Sequence, residues 1–193
     1  MILNLRLAAD SEVAALLAHP ERIEDWLYGE DEFSSVDNKP FWKFWASSPT
    51  PAPSIPDQFG AQETDIDKAW HGLHYAFSGL SDEGGTFPSN FVLGGRAIGK
   101  VDVGYGPARC FTSEEVRDIE AFLSQFSKET LAEKVTAASI TDADIYPFSG
   151  GQVAEIEASL PEALDYLGEY LEEMANFIAK AARKDAALIV YLN

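Results

Sequence analysis

One cysteine, Cys110, stands in 193 residues, so neither an intramolecular disulfide nor a cysteine-built zinc site is available to this chain. Basic residues are scarce: 14 Lys and Arg face 32 Asp and Glu, a formal charge of −18. That balance excludes non-specific nucleic-acid binding and attraction to an anionic membrane, because both need positive charge. No apolar run approaches the ~20 residues of a membrane-crossing helix. Residues 1–7 are too few and too regularly alternating for a signal peptide. Apolar residues, in contrast, are plentiful: 46% of the chain is hydrophobic and 12% aromatic, enough for one domain with a proper core. A soluble, cytoplasmic, acidic domain spanning residues 1–193 is expected.

The acidity is uneven. Residues 113–193 hold 16 acids and 6 bases, whereas residues 65–112 hold 5 and 4. A binding site is most easily told from a solvated acidic face in that near-neutral middle.

Leu3, Leu5 and Leu7 alternate with Asn4 and Arg6, the pattern of a half-buried strand. Asp10 or Ser11 is placed to cap a helix through Val13, Leu16 and Leu17, which Pro20 ends. A short helix over 21–28 buries Ile23, Trp26 and Leu27 before Gly29. Thr64 with Asp67 predicts a helix to about Ser78, stopped by Gly79. Thr112 with Glu115 forms a capping box ahead of Val116, Ile119, Leu123 and Phe126. Ser159 with Glu162 predicts the longest helix, about 160–184, with Leu164, Leu167, Leu171, Met174 and Ile178 on one stripe. The run 187–192 closes the chain as a strand. These elements predict an α+β fold: a single compact domain whose small sheet includes the N- and C-terminal strands and packs against several helices.

Residues 30–62 form a proline- and aromatic-rich insertion, with five prolines and the run Phe41-Trp42-Lys43-Phe44-Trp45. Its rings either pin a long surface loop to the body or make Trp42 and Trp45 part of a lid or partner-binding loop.

Several constellations bear on chemistry. Residues 94–101 imitate a phosphate-binding loop, but Val101 replaces the magnesium-binding hydroxyl and Gly104, Gly106 and Pro107 forbid the helix that must follow. Nucleotide binding is rejected. On the helix from Thr64, Ile66, Trp70, Leu73 and Phe77 share the buried face, while Asp67, His71, His74 and Ser78 share a boundary arc. Asp67, His71 and His74 have the spacing of three metal ligands from one helix, yet no fourth ligand is identifiable, so no metal is assigned. The plainer reading is a capping Asp, one boundary His bonded to backbone and one exposed His. Cys110 precedes a helix N-terminus, where a thiolate gains stability, but is equally a small buried residue. The segment Gly104-Tyr105-Gly106-Pro107-Ala108-Arg109 either presents Tyr105 and Arg109 in fixed geometry or is a structural turn.

Taken in order, Asp65-Ile66-Asp67-Lys68-Ala69-Trp70-His71-Gly72-Leu73-His74, then Val92-Leu93-Gly94-Gly95, then Gly104-Tyr105-Gly106-Pro107-Ala108-Arg109 with Glu114-Glu115-Val116, then Ile145-Tyr146-Pro147, resemble the YfbM-like family. This is a bacterial group of small domains of unknown function, and the resemblance is strongest from Thr64 onward. It implies a compact single-domain α+β fold and supplies no established activity or catalytic residue. His71 falls where the family need not have histidine, which weakens the three-ligand arrangement. Cys110 stands where an aromatic is expected, which argues against a shared nucleophile.

The residues point to a non-enzymatic binding module without a cofactor. Asp67, Trp70, His71, His74, Tyr105, Arg109, Trp42 and Trp45 are the candidate binding residues. The acidity suits a basic protein partner, one form being an immunity-type inhibitor of a cationic toxin. The alternative is a small hydrolase using Asp67 with His74 as general base.

Overall fold

A computed structural model describes residues 1–29 and 55–193. Trp42, Trp45 and most of the proline-rich insertion lie outside the described residues.

Among the described residues, five strands make one antiparallel sheet: β1 (Leu3–Ala8), β2 (Glu63–Asp65), β3 (Arg96–Asp102), β4 (Pro107–Phe111) and β5 (Ala187–Leu192). Their order is β2-β1-β5-β4-β3. The terminal strands pair from Leu3 opposite Leu192 to Ala8 opposite Ala187, as their apolar alternation requires. Seven helices are present among the described residues: α1 (Asp10–Ala18), α2 (Ile23–Tyr28), α3 (Trp70–Ser78), α4 (Ser113–Leu123), α5 (Lys128–Lys134), α6 (Ala137–Asp142) and α7 (Val153–Arg183).

The helices cover both faces of the sheet. On one face, Leu3, Leu5, Leu7, Phe111, Leu188 and Val190 pack with side chains of α3 to α7. On the other, Ala8, Ala108, Cys110, Ile189 and Tyr191 pack with α1 and α2. Trp70, Leu73, Phe77, Leu167, Leu171 and Met174 are all buried in the first core, while Leu164 is partly buried against it. Removing any one of the buried leucines should cost about 2–5 kcal/mol.

Four local expectations are corrected. β1 is buried on both faces: Arg6, which alternation points outward, is 5% exposed beneath α2. Asp10 caps a different helix from its own. The N-cap of α1 is Ala9, whose amide donates to Glu12, while the Asp10 carboxylate accepts the backbone and hydroxyl of Ser113 at the start of α4. Thr64 opens no helix; it lies in the edge strand β2 opposite Leu5. A short 3-10 turn over Asp67–Ala69 then leads into α3, which starts only at Trp70. Finally, α7 begins at Val153, where the Gln152 amide donates to Glu155. It runs through Pro161, whose ring nitrogen supplies no N–H to the helix. Ile156, Ala163 and Leu167, buried on either side of Pro161, hold the two halves on one core.

Candidate functional site

Two histidines of α3 hold the connection between α3 and β3. The His71 Nδ1 accepts the Tyr146 amide at 3.0 Å, so its Nε2 carries the proton and donates to the Ser81 carbonyl at 2.9 Å. One turn on, the His74 Nε2 donates to the Asp82 carbonyl at 2.6 Å. Neither histidine is exposed in the way expected of one of them: His71 is half-buried and His74 fully buried. The His74 Nδ1 is sealed inside with no partner among the described residues. Burial above all holds the His74 pKa below its ordinary value, opposed by the bond to the Asp82 carbonyl; neighbouring His71 and, less, Arg109 add to the lowering. A neutral ring with its free lone pair buried cannot take a proton from a substrate. Trp70 is a core residue, 6% exposed, stacked on His71 with 5.0 Å between ring centroids.

The segment held by these histidines forms one lip of a cleft of about 450 Å³. Glu83, Asn90, Leu93 and Gly94 line that side, and Tyr105, Pro107 and Arg109 the other. The β3–β4 turn, residues 103–106, is folded around Asp102, whose carboxylate accepts the amides of Gly104 and Gly106. Gly104 is required there: its φ is +147°, and a Cβ would stand 2.6 Å from the Leu192 carbonyl. The turn carries Tyr105 outward, 60% exposed. Arg109 lies inside the cleft, half-buried, and donates one long hydrogen bond of 3.4 Å to the Gly94 carbonyl. Burial pulls its pKa down to about 10 against the opposing charge of Glu83. The segment is thus at once a structural turn and the support of Tyr105 and Arg109.

Asp67 belongs elsewhere. Its backbone φ is +41°, and its carboxylate accepts the Tyr166 hydroxyl at 2.9 Å; the Tyr166 hydroxyl oxygen in turn accepts the Lys68 amide. Asp67 and His74 therefore bond to different groups, and no hydrogen bond joins them among the described residues. Tyr166 meets Tyr170 edge to face at 4.9 Å. Desolvation raises the Tyr170 pKa, and Asp67, Asp65, Glu173 and Glu169 raise it further. Two carboxylates and two tyrosines of α7, Glu169, Glu173, Tyr166 and Tyr170, thus lie beside Asp65 of β2 and Asp67 of the 3-10 turn.

Among the described residues, no group of three His, Cys, Asp or Glu side chains could hold a metal ion. Cys110 is buried in β4, and desolvation lifts its thiol to about 11, which leaves it unreactive at neutral pH. No described helix is long and apolar enough to cross a membrane.

A family model described as a domain of unknown function, DUF1877, matches residues 1–191. The chain belongs to this family. Among solved structures it is similar to YfbM from Escherichia coli, described as a protein of unknown function. That similarity covers 98% of each chain at 16% identity, with a TM-score of 0.66, and establishes a common fold. No curated protein matches the chain.

Glu83 and Asn90 were not singled out from the sequence. Both lie in a connection without regular patterning, whose first half is tied to α3 by the two histidine–carbonyl bonds and by Ser78 bonding Leu80.

Proposed function

We propose that the protein is a non-catalytic binding module that engages a basic protein partner through the acidic, tyrosine-bearing face of α7. The observation that carries this reading is the meeting of Asp65 and Asp67 with Glu169 and Glu173 of α7: Tyr166 donates to Asp67 and meets Tyr170 edge to face, and Thr64, next to Asp65, donates to Glu173. None of the four has a basic side chain within 4.0 Å among the described residues. Uncompensated like charges favour a cationic partner and steer its approach. Tyr166 and Tyr170 add ring surface for the stems and charged heads of Lys and Arg. An immunity-type inhibitor of a cationic toxin is one concrete form of such a module. The hydrolase alternative gains no support, because Asp67 and His74 are engaged separately and His74 is sealed.

The test uses a decalysine peptide at low salt as probe. Glu169→Lys with Glu173→Lys should weaken binding at least 10-fold. Glu114→Lys with Asp118→Lys on α4 changes the net charge equally and should weaken it no more than about 3-fold. Equal losses from the two pairs would remove the α7 face from the reading. Added sodium chloride should slow association chiefly, since steering is screened over ~10 Å at 0.1 M.

A further inference from the structure

The chain has six arginines. Arg6, Arg22, Arg96 and Arg117 pair with Asp57, Asp25, Glu115 and Asp185, and Arg183 is exposed to water near the end of α7. Arg109 differs from all of these. It is half-buried in the cleft, and among the described residues it has no carboxylate within 4.0 Å and only the long bond to Gly94. Its nitrogens are not among the side-chain atoms sealed without a partner, so the unbonded N–H groups keep access to water in the cleft. A desolvated guanidinium with no carboxylate bonded to it is costly, since Glu83 offsets its charge only from beyond ion-pair distance, and its planar fork matches a carboxylate in a bidentate pair.

We propose that this cleft is a binding site for a small monocarboxylate, seated with its carboxylate on the Arg109 guanidinium. One negative charge satisfies the single cation. Glu83 lines the same cleft and repels a second negative charge, which sets a monocarboxylate ahead of phosphate. Leu93, Ala97, Pro107 and Leu192 form apolar wall for a short hydrocarbon body. Asn90 and Tyr105 offer neutral polar contacts at its edge. A volume of about 450 Å³ suits a molecule of that size.

The test follows the backbone amides of Gly95 and Gly106 by NMR at pH 7 while butyrate, and separately inorganic phosphate, is added to the whole protein. Butyrate should give saturable shifts with a millimolar midpoint, and phosphate should bind at least 10-fold more weakly. Arg109→Lys keeps the charge but loses the fork, and should weaken butyrate at least 10-fold. Glu83→Gln, an exposed substitution, should tighten butyrate severalfold and phosphate more. Absence of saturable butyrate shifts up to 100 mM, or shifts unchanged in Arg109→Lys, overturns the proposal. Phosphate binding as tightly as butyrate overturns the choice of ligand. If Arg109→Lys does not fold, Glu83→Gln decides alone, and unchanged butyrate affinity there also overturns it.

Discussion

Arg6 and Arg109 occupy opposite faces of one sheet, and their surroundings differ in kind. Arg6 donates to the Leu27 carbonyl at 2.6 Å and to Asp57 at 2.8 Å, and its guanidinium lies 4.4 Å from the centre of the Trp26 ring. Asp57 in turn accepts the amides of Phe59, Gly60 and Ala61, so one carboxylate gathers a side chain from β1 and the chain leading to β2. Among the described residues, Arg109 has only the Gly94 carbonyl at 3.4 Å. A buried cation that builds the fold is surrounded by its own protein. Arg109 instead turns donors that are unbonded among the described residues toward the cleft.

The largest effect that would test this contrast is on stability. Arg6→Ala leaves Asp57 without its cation, the Leu27 carbonyl without its donor and the Trp26 ring uncovered, and should cost about 3–5 kcal/mol on denaturant unfolding. Arg109→Met removes an unmatched cation and should change stability by less than about 1 kcal/mol in either direction. Comparable losses from both would erase the distinction.

A smaller loss is expected at the cleft's turn. Gly104→Ala forces a side chain into a backbone region that only glycine occupies comfortably, and should cost about 1–3 kcal/mol. The shifts should centre on Tyr105 and Leu192 in an NMR spectrum and spare Arg6 and Trp26. Shifts spreading to α2 would show that the two regions are not independent.

The shallowest effect is the pH dependence, and it dissects both sides. Burial raises the Asp57 pKa, but the Ala61 amide, Arg6 and the Gly60 amide outweigh that and hold it below 3.8. Its stabilisation is therefore full at neutral pH and is lost as pH falls below about 4 through the folded value. His74 is held below 6.5, so the unfolded chain takes up its proton first, and stability declines as pH falls from about 6.5 through the folded value. His74→Gln should flatten the decline between pH 6.5 and 5. Arg6→Ala should flatten only the acid limb. A decline near pH 6 that survives His74→Gln would place its origin elsewhere.

Local signals were legible where local physics decides the outcome. The leucine alternation of β1 and the apolar run of β5 identified the terminal pair. Thr112 with Glu115 marked the start of α4, and Gly79, at φ +75°, the end of α3. Legibility failed where a distant group decides. Ser159 with Glu162 imitates a cap, yet burial of Ile156 and Ala163 carries α7 across that point. Asp67 fits the helical arc of His71 and His74 on paper, but a hydroxyl 99 positions away, on Tyr166, holds it outside the helix. The polar residue Arg6 reads as solvent-facing until Trp26, Leu27 and Asp57 cover it. The glycines flanking Tyr105 drew attention to the turn that leads to Arg109. Glu83 carries no sequence signal of its own.

The order of the sheet also bears on how the domain is made. β5 is the last strand in chain order and occupies the middle position, between β1 and β4. Without it the sheet falls into two separate ribbons, β2-β1 and β4-β3. During synthesis from the N-terminus, α1 to α7 emerge while their sheet is still in halves, and Leu3, Leu5 and Leu7 wait for partners about 185 positions downstream. The domain therefore closes in a late step, when residues 187–192 clear the ribosome, and until then its two apolar faces need protection from one another's neighbours.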